Sequence, residues 1–96
     1  MKLLTIDEIK QTALPIFKAA GINHSAIVGS YARGEENSKS DIDFLVTFPN
    51  NTTLMDIVRL KRVLENTLNK EVDLISMNAL SPMIKDSLIA NQYPIL

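Results

Sequence analysis

Ninety-six residues make one domain, spanning 1–96, near the lower end of the lengths at which a chain buries a proper core unaided. The balance of 46% hydrophobic to 22% charged residues is that of an ordinary globular protein, and a net charge of −1 argues against a binder that works by neutralising nucleic-acid phosphates. With no cysteine there is no disulfide and no thiolate metal site, which fits a reducing cytoplasm; the first residues lack a signal-peptide pattern, and no apolar run reaches transmembrane length.

Thr5-Ile6-Asp7-Glu8 is a capping box, so a helix is predicted to start behind Thr5. Ile6, Ile9, Ala13, Phe17 and Ala20 recur at helical spacing, and Gly21 is placed to stop the helix. Pro15 lies inside it and either kinks it or splits it in two near Leu14. Residues 24–28 read as a short strand running into Gly29-Ser30, with a short helix after it. Residues 41–48 read as a longer strand on which Ile42, Phe44 and Val46 share one face and Asp41, Asp43, Leu45 and Thr47 the other.

Pro49-Asn50-Asn51 supplies turn chemistry, and Thr53-Leu54-Met55-Asp56 is a second capping box. The helix behind it, 54–69, is expected to put Leu54, Ile57, Val58, Leu64 and Leu68 on one stripe. A strand over 71–75 follows. Ser81-Pro82 then pairs an N-cap with a first-turn proline and opens a helix to about residue 90, and 93–96 form a terminal extended segment. This order predicts an α/β (α+β) domain of two layers: a small mixed sheet with helices packed on one face.

The chemistry concentrates at Gly29-Ser30, followed after ten residues by Asp41-Ile42-Asp43. Two carboxylates two apart on a strand point to one face, with Cα atoms roughly 6.5–7 Å apart, a spacing from which both reach one divalent cation or a pair. Gly29, Ser30 and the Tyr31-Ala32-Arg33-Gly34 run behind them offer small residues where backbone N–H groups approach a phosphate chain. A third carboxylate, Asp73 in a strand-like run, is placed to complete the site. Phosphate cradle plus metal carboxylates is the minimum equipment for attacking a nucleoside triphosphate.

These residues together, Gly29-Ser30-Tyr31-Ala32-Arg33-Gly34, Ser40-Asp41-Ile42-Asp43 and Val72-Asp73, resemble the DNA polymerase β-like nucleotidyltransferase superfamily. The resemblance covers nearly the whole chain and is nearest to the minimal nucleotidyltransferases, antitoxin partners of HEPN-type ribonuclease toxins. It implies transfer of AMP from ATP, the substrate, to a tyrosine hydroxyl of a HEPN toxin, with two Mg²⁺ ions expected at Asp41, Asp43 and Asp73. Asp73 serves there as metal ligand or as general base, and Gly29, Ser30 and Arg33 as nucleotide-binding residues. Two other readings stay open: a binding module that neutralises its partner by occlusion, and a subunit of a small-molecule nucleotidyltransferase.

Each of these residues also has a plainer role to weigh. Ser30 is a helix cap, a phosphate donor or both, and Arg33 suits a carboxylate (Asp41 or Glu35) as well as a triphosphate. His24, the one histidine, reads as a strand entrance without chemical duty, Tyr31 as a packing residue, and Met77 as a residue lining a nucleotide or partner surface. Only twenty-three residues follow Asp73, so the acceptor is expected to arrive with its own surface.

Overall fold

In the computed structural model, which describes residues 4–37 and 39–96, Thr5 opens the first helix as a reciprocal cap. Its hydroxyl accepts from the Glu8 N–H at 3.1 Å, while the Glu8 carboxylate accepts from the Thr5 N–H at 3.2 Å. Helix α1 (Ile6–Ala19) is one unbroken helix with Pro15 inside it, so the split near Leu14 does not occur. Ile9, Ala13 and Phe17 are buried, whereas Ala20 is the exposed C-cap and not a member of the stripe. The signal-peptide reading of the first residues lies largely outside the described ones.

Strand β1 (His24–Val28) passes directly into the five-residue helix α2 (Gly29–Arg33), and β2 follows at Ile42–Thr47. Helix α3 (Leu54–Leu68) starts on the second reciprocal cap, Thr53 with Asp56. Its buried residues are Leu60, Leu64 and Leu68, with Ile57 packed against the core beside them. Leu54 is 74% exposed and Val58 is half-buried, against expectation. At 100° per residue Leu54 lies about 80° and Val58 about 120° around the helix from Leu64, outside the contact stripe; Leu60, omitted from the expected set, lies about 40° away.

Strand β3 (Val72–Ser76), a single 3₁₀ turn (Met77–Ala79), α4 (Pro82–Ala90) and β4 (Tyr93–Pro94) complete the chain. Pro82 occupies the first turn of α4 as predicted, but the Ser81 side chain makes no capping bond. The sheet is mixed, in the order β3-β2-β1-β4: β1 is antiparallel to β2 and β4, and β2 is parallel to β3. A parallel neighbour needs a crossover, and α3 supplies it. The terminal extended segment becomes an edge strand on β1, reinforced where the Ile95 and Leu96 N–H groups both donate to the Ser25 carbonyl.

Strand alternation then divides the two faces. Ile27, Phe44 and Leu74 are register partners on one face, with Ile42, Val46 and Val72 beside them, and this face packs on α1 and α3. The Phe17 ring meets the Phe44 ring edge-on, centroids 5.2 Å apart. Burying each such side chain is worth roughly 1.5–3 kcal/mol, so this face carries most of the fold's stability. The opposite face carries Val28, Asp43 and Asp73 in one row and Ala26, Leu45 and Ile75 in the other. Helix α4 contains no buried residue.

Candidate active site

One end of the sheet collects Gly29, Ser30, Asp41, Asp43 and Asp73. Strand β1 ends there at Val28, while β2 and β3 begin there, because β2 runs antiparallel to β1 and β3 runs parallel to β2. Val28, Asp43 and Asp73 are consecutive cross-strand partners, so the two carboxylates leave neighbouring strands side by side on the face away from the helices. Asp41 lies one residue before β2 and is exposed, as is Asp73, while Asp43 is half-buried.

Gly29 joins the turn to this pair. Its φ of +73° is a left-handed conformation that favours glycine, and a Cβ built on it would fall on the Asp43 carboxylate, 3.1 Å from Cγ and closer still to Oδ2. The missing side chain thus lets the backbone of the turn lie directly against Asp43. Ser30 is half-buried inside α2; the N-cap is Val28, with no side-chain cap bond, so Ser30 is not the cap that the sequence allowed. Tyr31 is buried in the core and fastens α2 to it, as a packing residue should. Burial, and to a lesser degree Glu36, raises the Tyr31 hydroxyl's pKa, and that hydroxyl is buried without a protein hydrogen-bond partner.

Arg33 is exposed and donates through Nε to Glu35 Oε1 at 3.2 Å; of the partners weighed for it, the fold pairs it with Glu35. Its charge still acts on Asp43, holding that carboxyl down slightly. His24 is exposed at the start of β1. Met77 helps to line a hollow of about 270 Å³ with His24, Leu45, Thr47 and Gln92, beside the strands and not at the carboxylate end.

Asp43 is the electrostatic centre. Burial pushes its carboxyl up from 3.8 to about 6, helped by the negative charge of Asp73, a hydrogen bond with the Asp73 carboxyl and the charge of Asp41. Two carboxylates set side by side on neighbouring strands mark a place where positive charge is wanted. Among the described residues no three such side chains converge into a ready-made metal cage, so the expected set Asp41, Asp43 and Asp73 is not preassembled. Mutual repulsion of three carboxylates, with Asp41 turned to solvent, accounts for that. A Mg²⁺ site built from one or two carboxylates plus substrate phosphates needs no such cage, and Asp43 beside the Gly29 opening, with Asp41 or Asp73 as a second carboxylate, fits it.

The raised carboxyl has a consequence for stability. Folded Asp43 binds its proton more tightly than unfolded Asp43, so its stabilising contribution is full below pH ~3.8 and is lost as pH rises to about 6. Asp43→Asn should therefore raise the melting temperature at pH 7.5 in EDTA by several degrees, about 1 kcal/mol after allowing for solvent screening. At pH 4 the gain should vanish, as circular-dichroism melts at the two pH values will read.

Sequence reasoning missed two residues beside the site, Lys70 and Glu65. The Lys70 ammonium donates to the Ser40 carbonyl at 2.9 Å, and Glu65 Oε2 accepts from the Val72 N–H at 3.1 Å. Neither belongs to a motif, and Lys70 acts on backbone thirty positions away in the chain. The Glu65 contact spans only seven positions and carried a weak signal, a carboxylate one turn before the end of a helix that leads into a strand.

Known proteins resemble this chain in sequence and in fold. Residues 6–91 match the family model described as the nucleotidyltransferase domain. "Putative protein adenylyltransferase MJ0435" of Methanocaldococcus jannaschii is 42% identical over 97% of this chain and all of its own length. The protein adenylyltransferase MntA of Thermococcus cleftensis is 31% identical over 93% of this chain and 94% of its own. A solved "putative minimal nucleotidyltransferase" superposes with a TM-score of 0.85 at 30% identity, covering 98% and 99% of the two chains. Two further structures share the fold. A toxin–antitoxin assembly with AMP-PNP gives a TM-score of 0.80 at 18% identity, covering 91% of this chain and 72% of that one. A tri-AMPylated Shewanella oneidensis HEPN toxin in complex with its MNT antitoxin gives 0.72 at 16%, covering 92% and 69%.

Proposed function

This chain belongs to the nucleotidyltransferase-domain family as one of its minimal members, and from that premise we propose that it transfers AMP from ATP to a tyrosine hydroxyl of a HEPN-type toxin, acting as its antitoxin. The observation that carries the reading is the Gly29 backbone laid against Asp43, itself paired with Asp73 across the parallel strands. A phosphate chain entering over Gly29 and Ser30 arrives beside the carboxylates. The choice of AMP and of a protein acceptor is supported by the adenylyltransferase relatives, by the AMP-PNP-bound neighbour and by the AMPylated HEPN toxin held by its MNT antitoxin.

Each side chain then has a defined role. Gly29 and Ser30 hold the β- and γ-phosphates by backbone N–H and hydroxyl, and Arg33 exchanges Glu35 for phosphate oxygen. Asp41 and Asp43 would hold Mg²⁺, which would supply charge neutralisation when bound, leaving the Asp73 carboxylate as the base. Asp73, exposed on the edge strand, faces the incoming acceptor and takes the hydroxyl proton. The hydroxyl oxygen bonds to the α-phosphorus, the bond to the bridging oxygen breaks, and pyrophosphate leaves with that electron pair.

Asp73→Asn separates chemistry from recognition. It should leave ATP binding and partner binding near wild type while lowering AMP transfer by at least ~10²-fold, the lower range for a positioned base. Intact-mass spectrometry of the co-expressed partner reads the adduct, and cell survival reads neutralisation. Full protection by the variant without any adduct would overturn enzymatic neutralisation in favour of occlusion.

A further inference from the structure

Both chain neighbours of Asp41 are tied to the segment that enters β3. On one side the Lys70 ammonium donates to the Ser40 carbonyl at 2.9 Å, from a half-buried position. On the other the Ile42 N–H donates to the Glu71 carbonyl at 3.0 Å, the first rung of the parallel ladder. The same segment is anchored from behind, where Glu65 on α3 accepts from the Val72 N–H. Asp41 itself precedes the strand and is exposed, so the ladder alone does not hold it.

In the described part of the loop before Asp41, Asn37, Lys39 and Ser40 bond to one another. Ser40 Oγ accepts from the Asn37 N–H, Asn37 Oδ1 accepts from the Lys39 N–H, and the Ser40 N–H donates to the Asn37 carbonyl. These bonds tie Asn37, Lys39 and Ser40 to one another and not to the sheet. Among the described residues, the Lys70 bond links Ser40 to the segment that enters the strand bearing Asp73.

We infer that Lys70 is a positioning residue of the transfer site, fixing Asp41 relative to Asp43 and Asp73 through the Ser40 carbonyl. A charge-assisted donor suits this role, being roughly twice as strong as a neutral one, and the carbonyl it holds belongs to the residue directly before the carboxylate. An ammonium on a four-carbon stem reaches that carbonyl from β3's entrance while leaving the Asp41 side chain free to meet substrate. The inference rests on Asp41 taking part in AMP transfer, and its test includes readouts that stand without that reading.

Lys70→Met keeps the length and apolar stem and removes the donor, and Lys70→Arg restores a charged donor. Amide hydrogen exchange by NMR, Mn²⁺ affinity by electron paramagnetic resonance without nucleotide, and the kcat and KM of AMP transfer would be measured for both. In Lys70→Met the Ile42 amide, bonded to the Glu71 carbonyl, should exchange about ten-fold faster while those of Phe44 and Ile27 keep their protection. Mn²⁺ affinity and kcat should each fall about ten-fold with KM for ATP near unchanged, and Lys70→Arg should recover most of each loss. Unchanged exchange at Ile42 would overturn the inference, as would a uniform rise at all amides with a matching fall in melting temperature. If wild-type protein transferred no AMP, the proposed function would fall, yet exchange and Mn²⁺ affinity would still decide the role of Lys70.

Discussion

Replacing Asp41 and Asp43 together by Asn should lower AMP transfer by at least ~10³-fold while the protein stays folded. The scale follows from the electrostatics: removing one preorganised group that answers transition-state charge costs ~10²–10³, and this variant removes two. The fold survives because neither side chain belongs to the core; Asp41 is exposed and Asp43 lies on the face away from α1 and α3. In the absence of divalent ion the variant should melt higher than wild type at neutral pH, since Asp43 no longer has to ionise beside Asp73. Mass spectrometry of the acceptor with a parallel melt checks both halves. Retained transfer would remove these carboxylates from the chemistry.

The legible part of this molecule was the part written in short-range rules. Both capping boxes appear where Thr5 with Glu8 and Thr53 with Asp56 placed them, since a cap needs only four consecutive residues. The alternation on β2 was equally readable: period two puts Ile42, Phe44 and Val46 on the buried face and Asp43 on the other, whatever the neighbours are. The expectation that Asp73 would stand with the other two carboxylates needed one more fact, the register of β3 on β2, and the observed pairing Asp43↔Asp73 supplies it.

What stayed hidden depended on the third dimension. Residues 93–96 read only as extended, because nothing local says that Tyr93 will pair with Ile27 some sixty-six positions earlier. Leu54 was misplaced because an apolar residue in a helix's first turn looks like core until its angle to Leu64 is measured. Arg33 had several partners of equal chemical merit, and α2 ends so that Glu35 is the one in reach. Lys70 was invisible as a site residue for a different reason. It acts on a backbone carbonyl, and backbone carries no residue type to recognise.

Gly29→Val should combine loss of stability with loss of function, and the two can be pulled apart. Two costs add at this position. The φ of +73° strains any residue with a Cβ, by about 1–3 kcal/mol and most for a β-branched one, and the new Cβ lands on the Asp43 carboxylate. Gly34 provides the control, since its φ is +71° and a Cβ there meets nothing within 4 Å among the described residues. Gly34→Ala should thus report the backbone strain alone, and Gly29→Ala should cost more than Gly34→Ala by the clash with Asp43. In a double-mutant cycle, Asp43→Ala should recover that difference and leave the strain in place. Urea unfolding of the four alanine variants measures this, while ATP binding to Gly29→Ala reads the cradle. Equal costs at Gly29 and Gly34, with ATP binding intact at Gly29→Ala, would show that the turn does not lie against Asp43 and that the phosphates enter elsewhere.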